Sequence, residues 1–366
     1  MSYQNNNFEI RLATPSDDAE ILAILEESSM PGAIQLLYTR RPSPWHSFQG
    51  EGKETGILIC CDKKKNRIVS LGVFVIKEMY INQDTCRVAY LLGLRSLQEY
   101  RLKFPLREGY EFLRELLQAK DVEFIFTSIL EKNTNIIRLF SKKRLGLPIY
   151  KKLFTYSTLC LNQKKVLKAA QNKNNIRLAK MNDAEDVFQF IQKNGCCWDG
   201  FPKFEMSELL NSKSEKYILN FYISFDQNNK IIGIMNLCNK NNEKQYIVTG
   251  YNWQIRVYNC LRNILPLQGF PRFPQIKQSV EVYYIAYWLL SKFDKVMFID
   301  LIAFICSQKK QIPFLLIGMP IDNPYYKDLH RLSYLNYKSN ICQVIWENMN
   351  PQRIVSGPYY LECSSL

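Results

Sequence analysis

The chain has 366 residues, 47% of them hydrophobic and 22% charged, which is the profile of a folded protein and excludes a disordered or low-complexity one. That length suits two ordinary cores better than one. The 48 Lys and Arg against 34 Asp and Glu give a net charge of +14, split evenly at +7 for residues 1–165 and +7 for the remainder, which argues against a dedicated nucleic-acid tail. Two histidines and 11 cysteines without a Cys-x-x-Cys spacing offer no zinc site, so no metal is expected. The cysteines, including the adjacent pairs Cys60-Cys61 and Cys196-Cys197, are expected to be reduced. No apolar run reaches the roughly 18 residues of a membrane span, and the polar start lacks the apolar core of a secretion signal. A cytoplasmic location and no membrane partner are expected.

In chain order, Ile10-Arg11-Leu12-Ala13 reads as a short strand, followed by Asp18-Ala19-Glu20 and an apolar-periodic helix over 21–27. Residues 28–56, rich in Pro, Gly and Ser, read as irregular. Strands follow at 56–61 and 68–76, separated by the turn Asp62-Lys63-Lys64-Lys65-Asn66, and at 87–97. Apolar spacing predicts a helix over 106–119, a buried strand over 122–130, a helix over 135–143 closed by Gly146 and Pro148, and a strand over 156–161. The polar, basic stretch 162–175 reads as a linker.

Then the opening of the chain returns: Ile176-Arg177-Leu178-Ala179, Asp183-Ala184-Glu185 and an apolar run over 187–191 align with the first copy through one single-residue gap. Strands at 217–225 and 231–238 follow, then an aromatic, Pro-rich segment at 250–282 with little periodicity. A helix over 296–307 and strands at 314–318 and 341–346 close this half, and 358–366 reads as a final strand. An echo half a chain apart predicts two related domains in tandem, each a mixed α/β (α+β) unit rather than a doubly wound one.

The chemistry concentrates in residues 87–161. A strand leads into Glu99-Tyr100-Arg101-Leu102-Lys103-Phe104-Pro105-Leu106 and then a helix. Such a junction presents unpaired N–H groups and the positive end of a helix dipole, a setting for a pyrophosphate. The next strand ends at Glu131-Lys132-Asn133-Thr134-Asn135, and from Lys132 to Cys160 basic residues occur with no acidic one.

This block resembles the GNAT N-acetyltransferase superfamily. The family's fourth strand, its Glu-Tyr-Arg-Gly-x-Gly-x-Gly loop and the helix after it match residues 94–117. Its fifth strand, Asn and Gly-terminated helix match 124–146. The run Arg144-Leu145-Gly146-Leu147-Pro148-Ile149-Tyr150, with Gly109-Tyr110, Ser339-Asn340-Ile341 to Trp346, and Gly357-Pro358 to Glu362, is similar to a tandem-domain bacterial subgroup.

The resemblance implies two GNAT-like domains, each a mostly antiparallel central sheet flanked by helices. Residues 1–161 would hold the acyl-CoA site, 162–175 the linker, and 176–366 a degenerate copy. It implies acetyl-CoA or another acyl-CoA as co-substrate and a small-molecule or peptide amine as acceptor, with direct transfer in a ternary complex. Cofactor contacts are implied for Leu94, Arg95, Ser96, Arg101, Lys103, Phe104, Leu106, Arg107, Asn133 and Phe140. Phe104 and Leu106 stand at the loop's glycine positions, and Pro105 removes an N–H donor. Phe140 stands where the family has the Tyr that protonates the leaving thiolate, with Tyr150 or Tyr156 as substitutes. A carboxylate or an ordered water would serve as general base. Glu131, at the end of the fifth strand, is the nearest acid and the candidate, beside its reading as a solvated loop residue. Two alternatives stand beside this reading: a non-catalytic binding protein of the same fold, and a transferase using aminoacyl-tRNA, which a chain of +14 would suit.

Overall fold

The computed structural model describes residues 2–5, 7–30, 32, 34–101, 103–140, 144, 146–257, 273–309, 312–347 and 357–366. The echo seen in the sequence is a repeated clasp. Arg11 forks onto Asp17 with two hydrogen bonds of 2.8 Å, and the same carboxylate accepts the Thr14 N–H at 2.7 Å. Arg177 forks onto Asp183 at 2.6 and 2.8 Å, and Asp183 accepts the Lys180 N–H at 2.6 Å. Each guanidinium thus ties an entry strand to the turn that starts a helix, using the paired geometry arginine offers a carboxylate.

The first half runs β1 (Ser2–Gln4), β2 (Phe8–Leu12), α1 (Asp18–Glu26), β3 (Ile34–Thr39), α2 (Pro44–Gln49), β4 (Glu54–Asp62), β5 (Arg67–Ile81) and β6 (Asp84–Ser96). It continues through α3 (Leu106–Gln118), β7 (Phe124–Leu130), α4 (Thr134–Phe140) and β8 (Ile149–Leu161). Then α5 (Gln163–Ala169) leads into β9 (Asn175–Leu178), α6 (Ala184–Gly195), α7 (Met206–Leu210), β10 (Phe221–Phe225), β11 (Ile231–Asn239) and β12 (Gln245–Tyr251). The last elements are β13 (Val282–Leu290), α8 (Lys295–Gln308), β14 (Phe314–Pro320), α9 (Tyr326–Arg331) and β15 (Ser333–Ile345).

Thirteen strands form one sheet in the order β1-β2-β4-β5-β6-β7-β15-β8-β14-β13-β11-β10-β9. The pairs are antiparallel except β6 with β7 and β13 with β14. This is the mixed α/β class expected, a mostly antiparallel sheet flanked by helices. Apart from the edge strand β1, the order is matched on the two sides of the centre, where β8 and β15 pair from Ser333↔Leu161 to Ile345↔Ile149. Each half lends its last long strand to the other: β15 borders β7, and β8 borders β14. A second, two-stranded sheet also joins the halves, pairing β3 with β12 from Thr39↔Gln245 to Ile34↔Tyr251.

Several local expectations differ from the structure. The region read as irregular holds β3 and α2, where Pro44 starts α2 and Ser43 caps it through the His46 N–H. The stretch read as a linker holds α5, capped by the Asn162 side chain. Strand β13 begins where the unpatterned aromatic segment ends. The tail is not a strand: Tyr359 makes one bridge to Asp199, and Cys363–Ser365 form a single tight turn. The helix expected to reach 143 is described as far as Phe140; Lys142 and Lys143 lie outside the described residues. Among the described residues, no helix is long and apolar enough to cross a membrane.

Candidate active site

Strands β6 and β7 pair in parallel only from Val88↔Phe124 to Leu91↔Thr127. Beyond that they part, since β6 runs on to Ser96 along β5 while β7 turns its outer edge to β15. Gly93, with φ of +67°, makes the bulge that turns β6 away; a side chain is disfavoured in that conformation. The resulting splay opens into a cavity of about 300 Å³. Its mouth is formed by Leu94 of β6, Leu130 of β7, Phe104 and Asn133. From there it passes under α3 and across β5 and β4 to Ile10 of β2.

Helix α3 begins at the splay, and no side chain caps its N-terminus. The Leu106 N–H donates to the Phe104 carbonyl at 2.8 Å, which leaves the N–H groups of Arg107 and Glu108 for an anion. Arg101, Lys103 and Arg107 are exposed around it. Arg107 donates to Glu111 at 3.0 Å and crosses Gly146, whose φ of +77° and missing side chain leave it room.

The other residues singled out in the sequence divide into two groups. Leu94, Phe104, Leu106 and Asn133 line the cavity. Phe104 is half-buried and packs against the first-half core. Arg95 points elsewhere: its Nη1 donates to the Leu25 carbonyl at 2.6 Å, its guanidinium lies over the Tyr38 ring, and burial lowers its pKa. Ser96 ends β6 opposite Ser70. Phe140 is fully buried and is not on the cavity wall. Glu131 is exposed and off the wall, its N–H bonded to the Lys338 carbonyl at 3.0 Å.

The phenyl ring of Phe140 stacks on Tyr150 at 4.2 Å, and the Tyr150 hydroxyl is 2.6 Å from that of Tyr110. Both tyrosines line the cavity. Burial pushes both hydroxyls above the ordinary tyrosine range, so both keep their protons at neutral pH. Cys60 is the thiol in the wall, and burial raises it to about 12. A thiol so raised stays protonated and is a poor nucleophile. Tyr156, the other substitute, donates to the Leu361 carbonyl at 2.9 Å, away from the cavity. Among the described residues, no group of three or more His, Cys, Asp or Glu could hold a metal ion.

The matching place in the second half is filled. Strands β13 and β14 pair in parallel from Val282↔Phe314 to Ile285↔Ile317. Residues 291–294 then lead directly to α8, and the Asp294 carboxylate accepts the Val296 and Met297 N–H groups at 2.9 and 3.0 Å. An anion offered to that helix end would meet a carboxylate already in place. The Tyr325 ring stacks on Phe298 at 4.1 Å and meets the edge of Trp288 at 5.9 Å.

A GCN5-related N-acetyltransferase from Anabaena variabilis superposes on this chain with a TM-score of 0.52 at 10% identity, covering 91% of this chain and 72% of that one. The chain has the GNAT fold. The N-myristoyltransferase of Saccharomyces cerevisiae with bound myristoyl-CoA gives a TM-score of 0.55 at 11% identity, over 93% of this chain and 83% of the enzyme. A GCN5-related glucosamine N-acetyltransferase region of a fungal multi-domain beta-N-acetylglucosaminidase gives 0.62 at 11%, over 93% of this chain and 38% of that one. At such identities the likeness is one of fold. No family model and no curated protein matches the sequence.

Proposed function

We propose that the chain is an acyl-CoA-dependent N-acyltransferase, working in the cytoplasm at the splay between β6 and β7. The observation that carries this is the coincidence of three features at one place: parted parallel strands, an uncapped and cation-flanked start of α3, and a cavity leading inward. The first-turn N–H groups with Arg101, Lys103 and Arg107 would take the pyrophosphate of the donor. Its pantetheine arm would lie in the splay, contacting Leu94, Phe104, Leu106 and Asn133. The solved structure of the yeast enzyme, which carries myristoyl-CoA on this fold, supports an acyl-CoA as donor.

The acceptor would be an amine of a small molecule or peptide, attacking the thioester carbon directly. Direct transfer is favoured because the thiol in the wall, Cys60, is held protonated. As the tetrahedral intermediate collapses, the C–S bond breaks and the thiolate takes a proton from a side chain. The proton released by the amine nitrogen passes to water at the open end of the splay, from which the side chain is reprotonated. Tyr150, fixed by its hydrogen bond to Tyr110 and its stack on Phe140, is the donor we assign in place of the hydroxyl that Phe140 lacks. Glu131 is exposed beyond the cavity, so any role for it as proton acceptor lies at the open end of the splay.

A ligand that binds only the native state raises the melting temperature. Coenzyme A and its acyl esters at 100-fold their Kd are expected to stabilise the protein by about 2.7 kcal/mol. Absence of any shift across the esters would refute the reading. Binding without thiol release across a panel of amines would instead favour a non-catalytic relative, which the apolar Phe104, Pro105 and Phe140 would suit.

A further inference from the structure

Two glycines in the cavity wall have no backbone reason to be glycine. Gly109 lies in the first turns of α3 and Gly72 in the middle of β5, and neither has the positive φ that Gly93 has. Close packing does not require them either. A Cβ on Gly109 would come no nearer than 4.0 Å to a neighbour, the Cδ1 of Ile10. One on Gly72 would come no nearer than 3.8 Å, to the Cδ1 of Leu94. Glycine inside a helix or strand is less stable than alanine. What the chain obtains from these two positions is empty volume.

That volume is continuous and mostly apolar, with Ser70 and the hydroxyls of Tyr110 and Tyr150 among its lining. The strand register sets Ile10 beside Cys60, Cys60 beside Ser70, and Leu58 beside Gly72, all on one face of the sheet. Gly72 in turn faces the bulge that carries Leu94. Gly109 and Leu113 of α3 roof this floor. At the mouth, Leu94 and Leu130 are 43% and 47% exposed and together make an apolar rim that an apolar group would cover. An acetyl group would reach the splay and leave the space beneath α3 unfilled.

We propose that the space under α3 receives the alkyl part of the donor, that the donor is a medium- or long-chain acyl-CoA rather than acetyl-CoA, and that Gly72 and Gly109 set the chain length admitted. The proposal rests on the acyltransferase reading, and the test separates the two. Affinities of the whole protein for acetyl-, octanoyl- and tetradecanoyl-CoA are measured by calorimetry below the micelle threshold of the esters.

The expected result is an affinity at least tenfold higher for tetradecanoyl- than for acetyl-CoA. Gly109→Leu, which projects a side chain into the cavity from α3, is expected to lose at least tenfold in tetradecanoyl-CoA affinity with no fall in its ligand-free melting temperature. Gly72→Val does the same from the sheet, and Gly109→Ala gives a smaller loss should the larger variants not fold. Equal affinity for all three esters, or an unchanged long-chain preference in the folded variants, overturns this proposal and leaves the acyltransferase reading standing. No binding of any ester overturns both.

Discussion

The hydroxyl assigned to the leaving thiolate sits on a strand, at Tyr150, and its position is held from two sides. Phe140 stacks on its ring, and Tyr110 holds its oxygen at 2.6 Å. Tyr150→Phe keeps the ring and the stack but removes the proton. A general acid contributes about 10²-fold at the low end, and a thiolate leaves readily enough for that end to apply. Turnover is therefore expected to drop about 100-fold or less with an alkyl thioester donor, with KM for the donor little changed. An equal fall in donor affinity would mean that Tyr150 shapes the cavity and nothing more. A second residue-level prediction concerns the clasp. Hydrogen bonds from Arg11 hold the Asp17 carboxyl down to about 2, below its value in an unfolded chain, despite partial burial. The sign follows: its stabilisation is complete above the unfolded value near 4 and is lost as pH falls toward 2. Asp17→Asn is expected to flatten the stability profile in that window, measured by urea unfolding. Of the cavity wall, Leu94, Phe104 and Leu106 were legible at the first strand-loop-helix junction and Asn133 at the end of the next strand, all through the family resemblance. Tyr150 stands in the sequence as a substitute hydroxyl and Gly109-Tyr110 as part of the family pattern. The pairing of Tyr150 with Tyr110 and the space beside Gly72 and Gly109 were not legible, because an empty volume or a hydroxyl pair formed between distant elements leaves no mark in local spacing.

The contrast between α3 and α8 shows how one helix end is kept open and its counterpart closed. Helix α8 carries its own anion, and Asp294→Ala removes a cap that accepts two N–H groups. Its cost is expected to be about 1 kcal/mol by urea unfolding. In α3 the bias runs the other way, because Gly109 weakens the helix that roofs the cavity. Gly109→Ala is expected to raise stability by roughly 0.5–1 kcal/mol if the only change is helix propensity. A fall instead would mean that Gly109 packs against something in the folded state. Elements with a strong local period, such as α3, were legible from apolar spacing alone. Strand β3 was not, since its partner β12 lies about 200 residues away and its burial alternates weakly. Strand β13, buried on both faces, reads Val-Tyr-Tyr-Ile-Ala-Tyr-Trp-Leu-Leu and carries no two-residue period to detect.

The sequence echo predicts two related units in tandem, and long-range pairing joins their strands into one sheet. Strand β8 rises from the first half, but its neighbours β15 and β14 both come from the second. Without them β8 would have no strand beside it and β7 would lose its outer partner. The polar seam between the halves strengthens this dependence. Glu51 accepts from Arg40 of its own half at 2.8 Å and from Lys240 of the other at 3.1 Å, and Lys240 also reaches Glu215 at 2.9 Å. Burial alone would raise the Glu51 carboxyl, but Lys240 and Arg40 outweigh it and hold it well below the usual carboxylate range. Removing one partner from such a buried group leaves an uncompensated charge and costs about 3–5 kcal/mol. Lys240→Met is therefore expected to destabilise the protein by that order. Because the central strands are exchanged, the loss should be felt by both halves together. Scanning calorimetry is expected to show one transition for the native protein, and for Lys240→Met the same single transition at lower temperature. A variant that splits into two transitions, with one left at the native temperature, would show that each half holds its sheet without the other's strand.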